Sequence, residues 1–513
     1  MLYKSSTGGD DTLKYRDSFV RTVFSIFGII IISKILGFVK QIVVAGAFGA
    51  TIETDLISLS EGLTVNIEYV IVQTLITAFV PIYIQAKARS EADSSRLVSD
   101  SLKIFAGFSA VLAVAVILLA PALARIIAPT YDAVLTKRLA GYLRLFAPVL
   151  IFFSIQAILH ALLNANEKFL PGQLIGFNQS AILIALTLTV GATFGPKTLA
   201  IGFVICPVYN VCYLALCARK SFHFERGKPC FSDDIRSLLQ MIWPLLLGYA
   251  AVFINQQVDK IIVSGMAEGT VTTMGYSATL SNFVMTFIGV VSSIAYTRIS
   301  KRIAFGSTKA ASAFAICLAG ILVTFFLPIT IITMGCSEDI VCIVFQRGAF
   351  DEIAAAKGAR ALAGYASTFV AYAFGTAFSR LQYGHKNTKT PMINSSVGIS
   401  FNIVLSILLY KPLGVFGVTL ASSAAEFVTA ALNMISAKRL GMVDNYRPLL
   451  QYLPIWLFGG VLCAVLAILG KGWFEACGAL LRFALITLIS GGAYAIIAIP
   501  PILKTMKRNA LLK

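Results

Sequence analysis

The chain has 513 residues, of which 58% are hydrophobic and 13% charged, and its formal net charge is +18. A soluble domain carries about 25% charged residues, whereas here apolar runs near ~20 residues, the length that crosses ~30 Å of hydrocarbon, recur from end to end. This excludes a soluble protein. Because polar and apolar residues do not alternate along the runs, it also excludes a transmembrane β-barrel, and it leaves an all-α polytopic membrane protein.

Residues 1–18 are polar, and 1–19 read as a cytoplasmic tail. No small-residue cleavage site follows the first apolar run, so they do not read as a signal peptide. Fourteen apolar segments follow, at roughly 20–48, 55–86, 101–127, 139–163, 170–194, 198–218, 236–265, 271–297, 310–334, 358–383, 390–410, 414–437, 450–470 and 477–503. An even number of crossings puts both termini on one side. The tails and even-numbered loops hold 28 of the 42 Lys and Arg, and the odd-numbered loops hold nine. Cytoplasmic loops concentrate Lys and Arg, so both termini are expected in the cytoplasm. The +18 is then mostly an orientation signal, and the expected partner is the lipid bilayer and not nucleic acid.

An internal repeat shows in two places. LLNANEKFLPGQLIGFN in segments 4–5 and LQYGHKNTKTPMINSSVG in segments 10–11 each carry a polar turn and then a proline, Pro171 or Pro391. TAFVPIYIQAKAR ends segment 2 as SIAYTRISKRIAFG ends segment 8. Residues 20–220 and 221–440 are therefore read as two pseudo-symmetric six-helix lobes, and 441–513 as two further helices and a cytoplasmic tail. Repeats of this kind hold substrate near the midplane at their interface.

Five cations fall inside predicted spans: Lys34, Lys40, Arg144, Lys260 and Arg482. An ionisable residue at that depth is costly, and it is by default a functional candidate. Lys34 and Lys40 lie in segment 1, and Asp55, Glu61, Asn66 and Glu68 in segment 2. Glu61 and Glu68 are a heptad apart and share a face. Segment 7 brings Asn255, Asp259 and Lys260. Segments 1, 2 and 7 are expected to line one cavity of mixed charge; the alternative is internal pairing, Lys40 with Glu68 and Asp259 with Lys260. Arg144 and Arg482 sit near span ends and are expected to snorkel. Glu426, the only acid in segment 12, is a candidate for coupling to a cation. Asn394, Asn402 and Asn433 read as interhelical hydrogen bonders.

Nine cysteines show no zinc spacing. Cys336 and Cys342 flank a predicted external loop, where free thiols or a disulfide would fit. No nucleotide-binding loop, Ser/His/Asp set or metal pattern stands out, so neither an enzyme nor direct ATP drive by this chain is expected.

Four stretches resemble the MurJ/MviN family of lipid II flippases, within the multidrug/oligosaccharidyl-lipid/polysaccharide exporter superfamily. They are SKILGFVKQIVVAGAFGATIETD at 33–55, TAFVPIYIQAKA at 77–88, NQQVDKIIVSGMAEGTVTTMGYSATL at 255–280 and FQRGAFD at 345–351. The resemblance implies two bundles that open alternately to each side, plus two C-terminal helices lining a groove for a lipid tail. It implies an undecaprenyl-pyrophosphate carrying a peptidoglycan disaccharide-peptide as cargo. A bacterial inner membrane follows, with a monomer that works beside cell-wall synthesis enzymes. No cofactor is implied beyond coupling to the membrane potential or a monovalent cation. Asp55 and Asp259 match the family pattern. Lys34 and Lys40 stand where the family usually has arginine, Glu68 lies in a region where it carries arginine, and Thr279 replaces another. Lysine keeps the charge but lacks the bidentate fork that suits phosphate. The expected cargo contacts are Lys34, Lys40 and Lys260, with Asp55, Glu61, Glu68 and Asp259 gating, pairing with the lysines or binding the coupling ion. Three other readings stay open: a flippase for a different lipid-linked oligosaccharide, a cation antiporter and a non-transporting envelope scaffold.

Overall fold

The structure, a computed structural model, describes residue 29 and residues 32–508, and within them all side chains except those of residues 66, 243–256 and 502–508. Helix α1 covers 32–48, and α2 (Ile52–Arg89) and α3 (Glu91–Ile127) follow. Next come α4 (Ala133–Phe146), α5 (Val149–Ala165), the single turn α6 (Leu170–Gln173), α7 (Ile175–Phe194) and α8 (Lys197–Ala218). The chain continues with α9 (Asp233–Ser264), α10 (Thr270–Ala304), α11 (Thr308–Gly335), the short α12 (Ser337–Phe345), α13 (Glu352–Ala366), α14 (Thr368–Gly384) and α15 (Lys389–Arg439). It ends in α16 (Gly460–Trp473), α17 (Ala479–Ile486) and α18 (Gly492–Arg508), with π-helical turns at Ile455–Gly459 and Thr487–Gly491. Among the described residues, eleven helices are long and apolar enough to cross a membrane. Their outer faces carry large bare side chains such as Leu118, 73% exposed, and Leu188, 71% exposed. Helices apolar on the outside as well as the inside are solvated by lipid.

The 51-residue α15 is two spans. Gly414 sits at φ 59°, ψ −142°, a conformation nearly restricted to glycine. The chain reverses there: Leu409 meets Gly417, Gly398 meets Thr429, and Asn394 Nδ2 donates to Asn433 Oδ1 at 2.8 Å. Gly195, between α7 and α8, has the same backbone at φ 58°, ψ −146°. The two glycines are 219 positions apart. So are Glu167 (φ 60°) and Lys386 (φ 61°), the two non-glycine residues of positive φ among those described. Asp132 and Asp351, again 219 apart, cap α4 and α13 by accepting the N–H of the residue three places on. The repeat thus extends to individual backbone angles and caps.

The chain divides into two compact units: the first holds residues up to 47, 59–125 and 132–253, and the second holds 48–58, 126–131 and 254 onward. Helix α2 begins in the second unit and continues in the first. The core of the first unit gathers Phe79, Tyr83, Leu97, Ile158, Leu162, Leu214 and their neighbours. That of the second gathers Ile288, Phe314, Leu322, Phe369, Phe378 and Leu381. The last helices pack on α11: Trp456 Nε1 donates to Thr324 Oγ1 and Tyr494 Oη to the Thr324 carbonyl, each at 2.9 Å. Tyr452 lies so close over Gly320 that a Cβ there would fall 2.2 Å from its ring.

One expectation is corrected here and one open choice is decided. Arg482 on α17 does not snorkel: its Nε donates to Asp339 Oδ1 of α12 at 2.8 Å, and an Nη joins the same oxygen. Asp339 is fully buried, and a buried carboxylate recruits a charge partner because desolvation without one is costly. Cys336 and Cys342 are both free.

Candidate functional site

Two helix starts in the second unit are capped reciprocally. Helix α2 starts at the GAFGAT turn and α10 at the GMAEGT turn. The first amides of a helix have no partner within it. The Asp55 carboxylate, 2% exposed, accepts the N–H of Gly269 at 2.7 Å, the N–H of Thr272 at 2.8 Å and the Thr272 hydroxyl at 2.6 Å. In return Glu268, just before α10, accepts the Ile52 N–H at 2.7 Å. Gly269 holds φ 78°, and a Cβ there would lie 2.4 Å from the Ala50 carbonyl oxygen. Tyr131 belongs to the same corner, where burial, helped by the nearby Asp55 and Glu268 carboxylates, pushes its phenol above the usual range.

Further along α9 lies Asp259. Its carboxylate accepts from Asn402 Nδ2 at 3.3 and 3.4 Å, from Ser406 Oγ at 3.2 Å and from Ser422 Oγ at 3.2 Å. Asn402 and Ser406 are one turn apart on the first span of α15, and Ser422 is on the second. All the donors are neutral, and none is as close as the 2.5–2.9 Å of a tight charge-assisted bond. Asp259 is thus held by a loose oxygen and amide shell. Lys260 and Thr279 belong to the same unit, and Thr279 Oγ1 donates to its own helix at the Gly275 carbonyl. Glu426, on the second span of α15, and Arg380 both act electrostatically on Tyr372. The backbone of Asn255 is in α9; its side chain lies outside the described residues.

The first unit brings Lys34, Lys40, Glu61 and Glu68 together on α1 and α2. Lys34 is exposed and Lys40 half-buried, and among the described residues neither makes an ion pair. Lys40 and Glu61 both lie within electrostatic reach of Cys206 on α8. Glu68 takes Gln156 Nε2 of α5 at 3.5 Å, and not Lys40, the partner that the internal-pairing alternative gives it. Asn402 bonds between helices as expected, but to a carboxylate.

Thr272, Gln156, Ser406 and Ser422 were missed by sequence reasoning. The repeat itself left a signal, though not for these four: VKQIVVAG at 39–46 and VDKIIVSG at 258–265 share four of eight residues, 219 positions apart. Lys40 and Asp259 are therefore repeat partners of opposite charge.

A many-span protein, all-helical among the described residues, that carries lysines and neutral-solvated carboxylates inside its spans has the make-up of a membrane transporter. Residues 44–488 match the family model described as lipid II flippase MurJ, and the chain belongs to that family. A protein of Rickettsia prowazekii (strain Madrid E) named probable lipid II flippase MurJ is 25% identical over 414 residues, 78% of this chain and 80% of its own. Another so named, from Treponema pallidum (strain Nichols), is 22% identical over 442 residues, 83% of each chain. Among solved structures, a lipid II flippase MurJ in an inward closed conformation superposes with a TM-score of 0.76 at 20% identity, over 93% of this chain and all of the other. An inward-facing multidrug resistance MATE transporter of the MOP superfamily shares the fold, with a TM-score of 0.60 at 14% identity over 80% and 94% of the two chains.

Proposed function

We propose that this protein is a lipid II flippase: it carries a polyprenyl-pyrophosphate-linked peptidoglycan precursor from the inner to the outer leaflet by alternating access. The observation that carries the reading is the family match across residues 44–488. Lys34, Lys40 and Lys260 meet the pyrophosphate, since a cation is the group that a phosphate anion needs inside a span. The polyprenyl tail stays in lipid, beside the two C-terminal helices. The protein works as a monomer in a bacterial plasma membrane, both termini cytoplasmic, near the enzymes that polymerise its cargo. The test is expression in a bacterium depleted of its own lipid II flippase. Growth and lipid II exposure outside should return; failure with the protein present in the membrane moves the cargo to another lipid-linked glycan.

The Asp259 cluster favours a second element, coupling to a monovalent cation taken as co-substrate. One carboxylate, two hydroxyls and an amide that offers its oxygen once turned over are hard-cation ligands, and their 3.2–3.4 Å contacts leave the carboxylate unclenched. Glu426 is the alternative coupling acid. Asp259→Asn should abolish the response of flipping in vesicles to an imposed sodium gradient, and an unaltered response would transfer the role to Glu426.

A further inference from the structure

One pair in the first unit, a buried glutamine beside a half-buried glutamate, is incomplete. Gln156 is 3% exposed and stands near the midpoint of α5; Glu68 stands near the midpoint of α2. The amide nitrogen of Gln156 points at Glu68 Oε1 at 3.5 Å, and its own Oε1 has no hydrogen-bond partner. An ionised carboxylate accepts only, whereas a protonated one also donates. Ionised Glu68 can therefore serve the amide nitrogen and nothing else, and turning the amide over would set oxygen against oxygen. A proton on Glu68 removes the conflict. The carboxyl carbonyl accepts from Nε2, the carboxyl O–H donates to Oε1, and two neutral groups satisfy each other where an unpaired charge or polar atom is costly.

We propose that Glu68 and Gln156 form a proton-binding site in the first unit, separate from Asp259. The groups around it favour a proton. Glu61, two turns earlier on α2, is the charge that acts on Glu68, and it is of like sign. On α5 the next titratable group is His160, one turn past Gln156, whose Nε2 also lacks a partner. Helix α3 has no titratable side chain between Lys103 and Arg125, and α7 has none. On α1 and α8, Lys40 acts on Cys206 and not on Glu68. Exposure of Glu68 to water on one side and its return on the other would carry one proton per cycle. That consequence rests on the flippase reading; proton binding does not.

The experiment is infrared difference spectroscopy of the full-length protein in lipid vesicles, between acidic and alkaline buffer. The expected result is a protonated-carboxyl carbonyl band that disappears in Glu68→Gln and changes frequency in Gln156→Leu. A band that survives Glu68→Gln, or no band in the wild type, overturns the proposal. Should Glu68→Gln not fold, Gln156→Leu decides, because a band it does not move cannot come from this pair. The spectrum needs no cargo, so a protein that fails to flip lipid II can still show the site.

Discussion

Asp55 caps α10 from 217 positions away: Oδ1 accepts both the N–H of Thr272, at 2.8 Å, and its hydroxyl, at 2.6 Å. With Gly269 N–H on Oδ2, three donors at the positive end of a helix share one buried carboxylate. Asp55→Ala leaves both N–H groups without an acceptor and the Thr272 hydroxyl with only Thr54 Oγ1, at 3.2 Å, and should cost about 2 kcal/mol. Thermal unfolding in detergent reads the loss. Hydrogen exchange locates it, with protection at residues 269–272 falling first; unchanged protection there would refute the cap.

Lys40 stands where its repeat partner is an acid, so its charge belongs to the first unit's own task. Lys40→Ala should lower lipid II flipping at least about tenfold, from loss of one charge-assisted contact, with normal amounts of folded protein. Lys40→Arg should retain flipping. Wild-type flipping by Lys40→Ala would sink the cargo assignment.

Arg482 neutralises Asp339, whose side chain is 1% exposed. Arg482→Ala strands that carboxylate and should destabilise the protein by about 3 kcal/mol. Adding Asp339→Leu should recover most of the loss, because removing both charges also removes the desolvation penalty. Melting temperatures of the wild type, the single variants and the double variant form the test. Equal melting of Arg482→Ala and wild type would show that the pair holds nothing.

Gly195 and Gly414 share one backbone conformation, and a Cβ on either would meet open space. Alanine at either position should therefore cost only the backbone strain, about 1–3 kcal/mol and similar at the two sites. A marked difference in their melting shifts would show that the two turns are not equivalent.

Much of this molecule is legible in its sequence. The length and polarity of the segments dictate a helical membrane protein, because an unpaired backbone is prohibitive in hydrocarbon. The repeat is legible too, in the two turns ending at Pro171 and Pro391 and, more sharply, in VKQIVVAG and VDKIIVSG. Sequence also picks out Lys40, Asp55, Glu68 and Asp259 by the cost of charge at their depth. It does not supply their partners. Charge pairing suggested Lys40 for Glu68 and Lys260 for Asp259, whereas the hydrogen-bond donors that reach the two acids are neutral: Gln156 for one, Asn402, Ser406 and Ser422 for the other. Ser406 and Ser422 lie on either side of Gly414, and only the chain reversal at that glycine turns both toward one carboxylate. Neutral donors leave no charge pattern in a sequence, so tertiary structure alone decides which of many serines becomes a ligand.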